Sequence, residues 1–162
     1  MKKVLVIGCP GSGKSTFARK LRDKLDLPLF YLDMIWHKPD KSTYTKDEFD
    51  KKLAEIIKKD EWIIDGNYSR TLETRIQKCD TVFYLDLPVE ECLKGAESRI
   101  GTVREDLPWF EDEFDPEFRE WIKDFPKVEI PIINEIVNKY KDSIKLVVFK
   151  SRNEADEYIN NL

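Results

Sequence analysis

Short runs of consecutive apolar residues alternate along this chain with stretches where apolar positions recur every three or four residues. Five runs have strand length: residues 4–7, 29–32, 62–64, 82–85 and 144–149. Apart from Lys145 in the last, these runs are apolar throughout, which fits strands covered on both faces rather than half-exposed ones. Helical spacing fills the gaps. Phe17, Leu21 and Leu25 share one face, and Phe49, Leu53, Ile56 and Ile57 share another. The second group follows a capping box of Thr45 and Glu48, in which hydroxyl and carboxylate satisfy amides that a first helical turn leaves unpaired. Ser151 and Glu154 form a second such box, opening a terminal helix with Ala155, Tyr158, Ile159 and Leu162 turned inward. Asp115 caps a helix that has Pro116 at its first position and Phe118, Trp121, Ile122 and Phe125 on one side. Residues 101–115 show neither period and carry Pro108, so they read as a mobile loop. The alternation of strand and helix predicts a three-layer α/β domain, a parallel sheet between two helical layers, over residues 1–162.

Composition narrows the class. The chain has 162 residues, 41% of them hydrophobic, which suffices for the core of one domain but leaves little for a second. A net charge of -4 creates no field that would draw the chain to a polyanion, so nucleic acid and acidic membrane are not expected partners. Cys9, Cys79 and Cys92 are odd in number and not spaced as a metal site. With no export signal ahead of them, they read as free thiols of a cytoplasmic protein. The opening residues MKKVLVI resemble the start of a signal peptide, but the apolar run ends at Gly8, and it reads as a buried strand. No run approaches the roughly 18 apolar residues that span a bilayer.

The candidate chemistry lies at the end of that first strand. Gly8-Cys9-Pro10-Gly11-Ser12-Gly13-Lys14-Ser15, followed by Thr16, matches the phosphate-loop pattern at every fixed position. Glycines let successive backbone N–H groups turn toward one point, and the helix behind the loop adds its unpaired N–H groups and positive dipole end. Lys14 is placed to reach the β and γ phosphates of a nucleoside triphosphate, and the Ser15 hydroxyl to join the shell of Mg²⁺. A preceding strand and a following amphipathic helix supply the context that a chance glycine-rich turn lacks. Such a loop needs a carboxylate near its metal. Asp65 and Asp86 each end a strand. Asp86 is followed by Leu87-Pro88-Val89-Glu90, where starting a helix is its simpler role; Asp65 is followed by Gly66-Asn67-Tyr68, a turn expected to leave its carboxylate exposed.

The phosphate loop, the stretch Trp62-Ile63-Ile64-Asp65-Gly66-Asn67-Tyr68 and the later arginines together resemble the adenylate-kinase-related P-loop kinases. More narrowly, the chain is similar to the topology-modulation proteins, a bacterial group of kinase-like proteins. The resemblance implies a P-loop NTPase fold with five parallel strands in the order 2-3-1-4-5 and a small closing lid, here residues 101–115. It implies ATP and Mg²⁺ as ligands, and it sets Arg99 and Arg104 at the mouth of the lid. Phosphoryl transfer spreads negative charge over the moving group, so a lid that delivers cations on closure would serve it. Arg70 and Arg75 are candidates to contact the acceptor or the transferred phosphate, against ordinary solvated positions on a helix face. Arg152 is read as an adenine-stacking residue or a surface arginine.

Asp33 ends the second strand, where related small-molecule kinases place a carboxylate beside the acceptor hydroxyl. Trp36 and His37 follow and could wall an acceptor pocket. Between Arg22 and Arg70 no arginine occurs, although nucleoside-monophosphate kinases use one there to grip the acceptor's phosphate. Lys38, Lys41 and Lys46 offer charge without the planar fork. The expected function is an ATP-dependent phosphotransferase acting on a small molecule. The alternatives are a nucleoside-monophosphate kinase and an ATP-binding regulator without turnover. A GTPase reading fails on its base-reading motif, because residues 138–142 (NKYKD) are one residue too long and lie at a helix end.

Overall fold

The computed structural model describes residues 1–162. Five strands, β1 (Lys3–Gly8), β2 (Leu29–Tyr31), β3 (Trp62–Asp65), β4 (Thr81–Leu85) and β5 (Lys145–Phe149), pair in parallel in the order β2-β3-β1-β4-β5. All five predicted runs are strands, and the strand order is the one that the resemblance implied. Eight helices complete the chain: α1 (Lys14–Leu25), α2 (Leu32–Trp36), α3 (Lys46–Ile57), α4 (Ser69–Ile76), α5 (Val89–Ser98), α6 (Pro116–Val128), α7 (Ile130–Tyr140) and α8 (Arg152–Asn160). None is long and apolar enough to cross a membrane.

The three inner strands β3, β1 and β4 are buried almost without interruption, as their unbroken apolar sequences require, and they form the centre of one core cluster. The chain leaves β1 for the far side of β3, returns to β3, then crosses to β4 on the opposite side of β1. This reversal opens a crevice at the carboxyl ends of the strands beside β1, the position where open α/β sheets bind ligands. Gly8, Leu85 and Phe149 lie in one register there, with Asp65 opposite Val6.

Several local expectations need correction. Asp86 does not start a helix: α5 begins behind Pro88 without a side-chain cap, and Asp86 holds Lys150 at 2.5 Å. The second capping box is offset. Ser151 accepts from the Glu154 amide, but the Glu154 carboxylate reaches the amide of Lys150 instead of Ser151. Leu162 is exposed, since the chain leaves helix α8 at Asn160. On α6 only Ile122 and Phe125 are fully buried, while Phe118 and Trp121 stand over an open cavity. The Thr45–Glu48 box and the Asp115 cap with Pro116 are present as read.

Candidate active site

Residues 8–15 wrap the start of α1, and the backbone conformations explain the glycines. Gly11 has φ +84°, and a Cβ there would overlap the carbonyl oxygen of Cys92 on α5. Gly13, at φ +96°, ends the loop as the residue before the first helical turn, with no side chain shielding the free amides of α1. The loop is braced from three directions. Asn67 accepts from the amide of Gly8 at 2.9 Å and donates to its carbonyl at 2.6 Å. Arg152 donates to the carbonyls of Gly11 and Glu91, each at 2.8 Å, and to the Glu91 carboxylate. The Cys9-to-Ser12 turn closes on its own backbone bond of 3.0 Å. Arg152 is thus not a free surface arginine: although partly exposed, it ties the loop to α5 and lines the cavity above it. All three cysteines are free.

Behind the loop the Ser15 hydroxyl donates to Asp65 at 2.5 Å. Asp65 is only 4% exposed, so the expectation of an exposed carboxylate is overturned. The reason is topological: β3 lies inside the sheet, between β2 and β1, and its end is covered by the loop it supports. Burial pushes the Asp65 carboxyl up to about 6, against the pull of the Lys14 charge and the Ser15 bond. Its second oxygen, Oδ1, is buried without a partner. A hydroxyl and a carboxylate with a spare oxygen beside a phosphate cradle suit Mg²⁺, which takes few protein ligands and completes its shell with phosphate oxygens and water. No cluster of three or more His, Cys, Asp or Glu residues offers an alternative metal cage.

Two cavities flank this centre. The smaller, about 470 Å³, runs over Gly11, Gly13, Ser15 and Thr16 to Arg152. The larger, about 790 Å³, extends from Lys14 past Asp33 and Asp65 to aromatic walls that include Trp36, Trp109 and Trp121. Only Arg99, Arg104 and Asp106 line both. Arg99, just past the end of α5, has a buried Nε without a partner, and burial lowers its proton affinity. Arg104 is not free: it forks onto Asp106, with bonds of 3.1 and 2.6 Å, and also bonds Glu111. The segment 101–115, without helix or strand, is therefore stapled across itself by one arginine and two acids.

At the floor of the larger cavity, Asp33 lies within α2, two residues past the end of β2, and accepts a 2.6 Å bond from the hydroxyl of Tyr68. Trp36 packs edge-on against Phe49, and His37 edge-on against Trp109, so both stand in the wall as expected. Burial lowers the proton affinity of His37. Lys41 and Lys46 border the cavity, whereas Lys38 sits near the Tyr44 ring. Of the two arginines of α4, Arg75 is corrected, whereas Arg70 is half-exposed and borders the larger cavity. Arg70 forks onto Asp50 of α3 at 3.1 and 2.8 Å. Arg75 is fully buried, donating to the carbonyls of Gly66, Asn67 and Tyr68, and meets neither cavity. Burial among groups without a carboxylate partner brings its guanidinium down to about 9. Asn67, Tyr68 and Arg152 were missed or misread as site elements. No local pattern signals their roles; only the burial of Arg75 is foreshadowed, by its helical spacing from the apolar Leu72 three residues before it.

No family model matches the chain. The chain is 30% identical over 88 residues to an adenylate kinase of Thermotoga neapolitana, covering 53% of this chain and 39% of that protein. It is 33% identical over 114 residues to a shikimate kinase of Rhodococcus jostii, covering 62% of this chain and 66% of that protein. Among solved structures, shikimate kinase from Acinetobacter baumannii in complex with shikimate superposes with a TM-score of 0.61 at 14% identity, over 99% of this chain and 92% of that one. The fold is P-loop kinase-like. A shikimate kinase from Bacteroides thetaiotaomicron agrees, with a TM-score of 0.56, 14% identity, and coverage of 98% and 94%. The chain spans well under half the length of the adenylate kinase it matches and about two thirds of the curated shikimate kinase.

Proposed function

We propose that the chain is an ATP-dependent phosphotransferase that phosphorylates a hydroxyl of a small molecule. The observation that carries this reading is the pair of cavities on either side of Lys14, with Arg99 and Arg104 lining both. A donor triphosphate lies along the loop in the smaller cavity, an acceptor lies in the larger one, and the transferred group passes between them under the arginines. Ser15 and Asp65 would hold Mg²⁺, which would neutralise phosphate charge. Lys14 and the loop amides bind the β and γ phosphates. Arg99, whose Nε is unpartnered, faces the charge that spreads over the moving phosphoryl group. The acceptor oxygen bonds to the γ-phosphorus as its proton passes to Asp33. The bond from phosphorus to the β–γ bridging oxygen breaks, and ADP leaves with that electron pair.

Adenylate kinases among the relatives support a second reading, transfer to a nucleoside monophosphate. Against it stands the state of the arginines that border the acceptor side. Arg70 is committed to Asp50 and Arg104 to Asp106 and Glu111. Lys41 and Lys46 attract a phosphate without orienting it by two parallel bonds. The resemblance to the topology-modulation proteins, carried by the phosphate loop, residues 62–68 and the later arginines together, belongs to this same proposal.

The test supplies ATP and Mg²⁺ with AMP, CMP, GMP, UMP, dTMP, shikimate and a panel of neutral polyols and amino alcohols, following ADP release and phosphorylated product. Transfer to a non-nucleotide alcohol that is abolished by Asp33→Asn, with ATP binding retained, supports the proposal. Turnover of a monophosphate with kcat/KM above roughly 10⁴ M⁻¹s⁻¹ establishes the second reading instead.

A further inference from the structure

Tyr68 occupies a backbone conformation that a bulky residue does not adopt freely. Its φ of 38° and ψ of 65° are left-handed, and it precedes α4 without capping it. The strain is sustained by Arg75, which is wholly buried and spends its donors on the carbonyls of Gly66, Asn67 and Tyr68. A side-chain bond from the Thr71 hydroxyl fixes the Tyr68 carbonyl a second time. Left-handed outliers held by surrounding structure cluster at functional sites. What the strain achieves is visible at the other end of the residue. The Tyr68 ring lies against Phe49, with centroids 5.2 Å apart, and its hydroxyl donates to Asp33 Oδ1 at 2.6 Å, inside the cavity assigned to the acceptor.

We infer that Tyr68 is a positioning residue for phosphoryl transfer: it holds Asp33 in the rotamer from which Oδ2 takes the proton of the acceptor hydroxyl. The inference rests on the phosphotransferase reading and deepens it. Asp33 sits on a helix of five residues and its carboxylate has no other side-chain hydrogen-bond partner, so it depends on Tyr68 for orientation. Burial and the Asp33 charge both raise the proton affinity of the Tyr68 hydroxyl, which therefore remains a donor through the working pH range. A permanent donor occupies one carboxylate oxygen and leaves the other as proton acceptor. After transfer the proton is on Oδ2, the phosphoryl group is on the acceptor and ADP is released. In the product state the protonated carboxyl is a weaker acceptor for Tyr68 than the carboxylate, because charge-assisted bonds are the stronger kind. Misplacement of the proton acceptor loses catalysis without loss of nucleotide binding.

Tyr68→Phe removes the hydroxyl and keeps the ring against Phe49, so the comparison separates orientation from packing. With the acceptor found in the screen, kcat for transfer falls about tenfold or more, a fraction of what general-base catalysis contributes. The KM for ATP stays within about twofold, because the loop is untouched. The ratio of ADP released to phosphorylated product also rises, as water competes with a poorly held hydroxyl. A melting temperature close to that of the unaltered chain excludes a folding defect. If the unaltered chain transfers phosphate and Tyr68→Phe matches it in kcat and coupling ratio, the positioning inference is overturned and the phosphotransferase reading stands. If the unaltered chain phosphorylates nothing in the panel, both are overturned together.

Discussion

Asn67 grips Gly8 at both backbone positions, accepting from its amide at 2.9 Å and donating to its carbonyl at 2.6 Å, across 59 residues of sequence. The end of β3 is thereby fastened to the first residue of the phosphate loop, in the gap where the two neighbouring strands part. A glycine-rich loop owes its anion affinity to amides already turned toward the ligand, and a rigid support reduces the entropy lost on binding.

Asn67→Ala therefore weakens nucleotide binding although Asn67 is not part of the loop. Loss of the two bonds costs about 1–3 kcal/mol of stability. Affinity for Mg²⁺–ATP in calorimetry is expected to fall about tenfold, with unchanged stoichiometry. An affinity equal to that of the unaltered chain would show that Arg152 and the Cys9-to-Ser12 turn suffice to hold the loop.

Arg75 is the reverse case, a charged residue with no place in the cavities. Its bonds to Gly66 and Asn67 satisfy two carbonyls of the buried turn between β3 and α4. Arg75→Met preserves most of the volume and removes the donors. The expected loss is about 2–5 kcal/mol in urea unfolding, because buried acceptors are left without partners. Arg75→Lys recovers only a small part, since one ammonium cannot span three successive carbonyls as a planar fork does. A midpoint within error of the unaltered chain in both variants contradicts the structural role.

The Arg104–Asp106 pair predicts a dependence on pH. Burial by itself would raise the Asp106 carboxyl, but the Arg104 fork and its charge outweigh burial and hold it below the usual carboxylate range. The unfolded chain thus takes up this proton at higher pH than the folded chain does. The pair stabilises fully above the unfolded value of about 3.9, and its contribution is lost as pH falls below that value and through the folded one. Asp106→Asn should cost about 1–3 kcal/mol near neutral pH, with Glu111 retaining part of the hold on Arg104. In urea unfolding, the difference between the two chains should shrink as pH falls below that unfolded value. A constant difference across that range would mean that Asp106 acts through packing.

The legible parts of this protein were those written in short-range pattern. Runs such as residues 62–64 and 82–85 marked strands because nothing but burial on both faces tolerates unbroken apolar sequence. The loop from Gly8 to Ser15 was legible because its chemistry is local: turn, amides, Lys14 and Ser15 lie within eight residues. The helices α2 and α7 were not resolved individually. Helix α2 is only five residues long, and α7 follows α6 after the single residue Glu129, too short a break to separate two helices by pattern.

The sequence by itself determined the elements, their alternation and the phosphate loop, all of which depend on contacts between residues near in the chain. The tertiary structure alone decided what each charged group does. Asp65 is buried because β3 lies between two other strands, and no local pattern states which strand will be inner. Arg75 and Arg70, five residues apart on one helix, part company because α4 packs one face inward and turns the other toward Asp50 of α3. Arg104, expected as a free cation, is claimed by Asp106 and Glu111, and Asp33 is aimed by Tyr68 from 35 residues away. Charge and hydrogen bonding act over a few ångströms of space, so their partners are set by the fold that brings distant segments together.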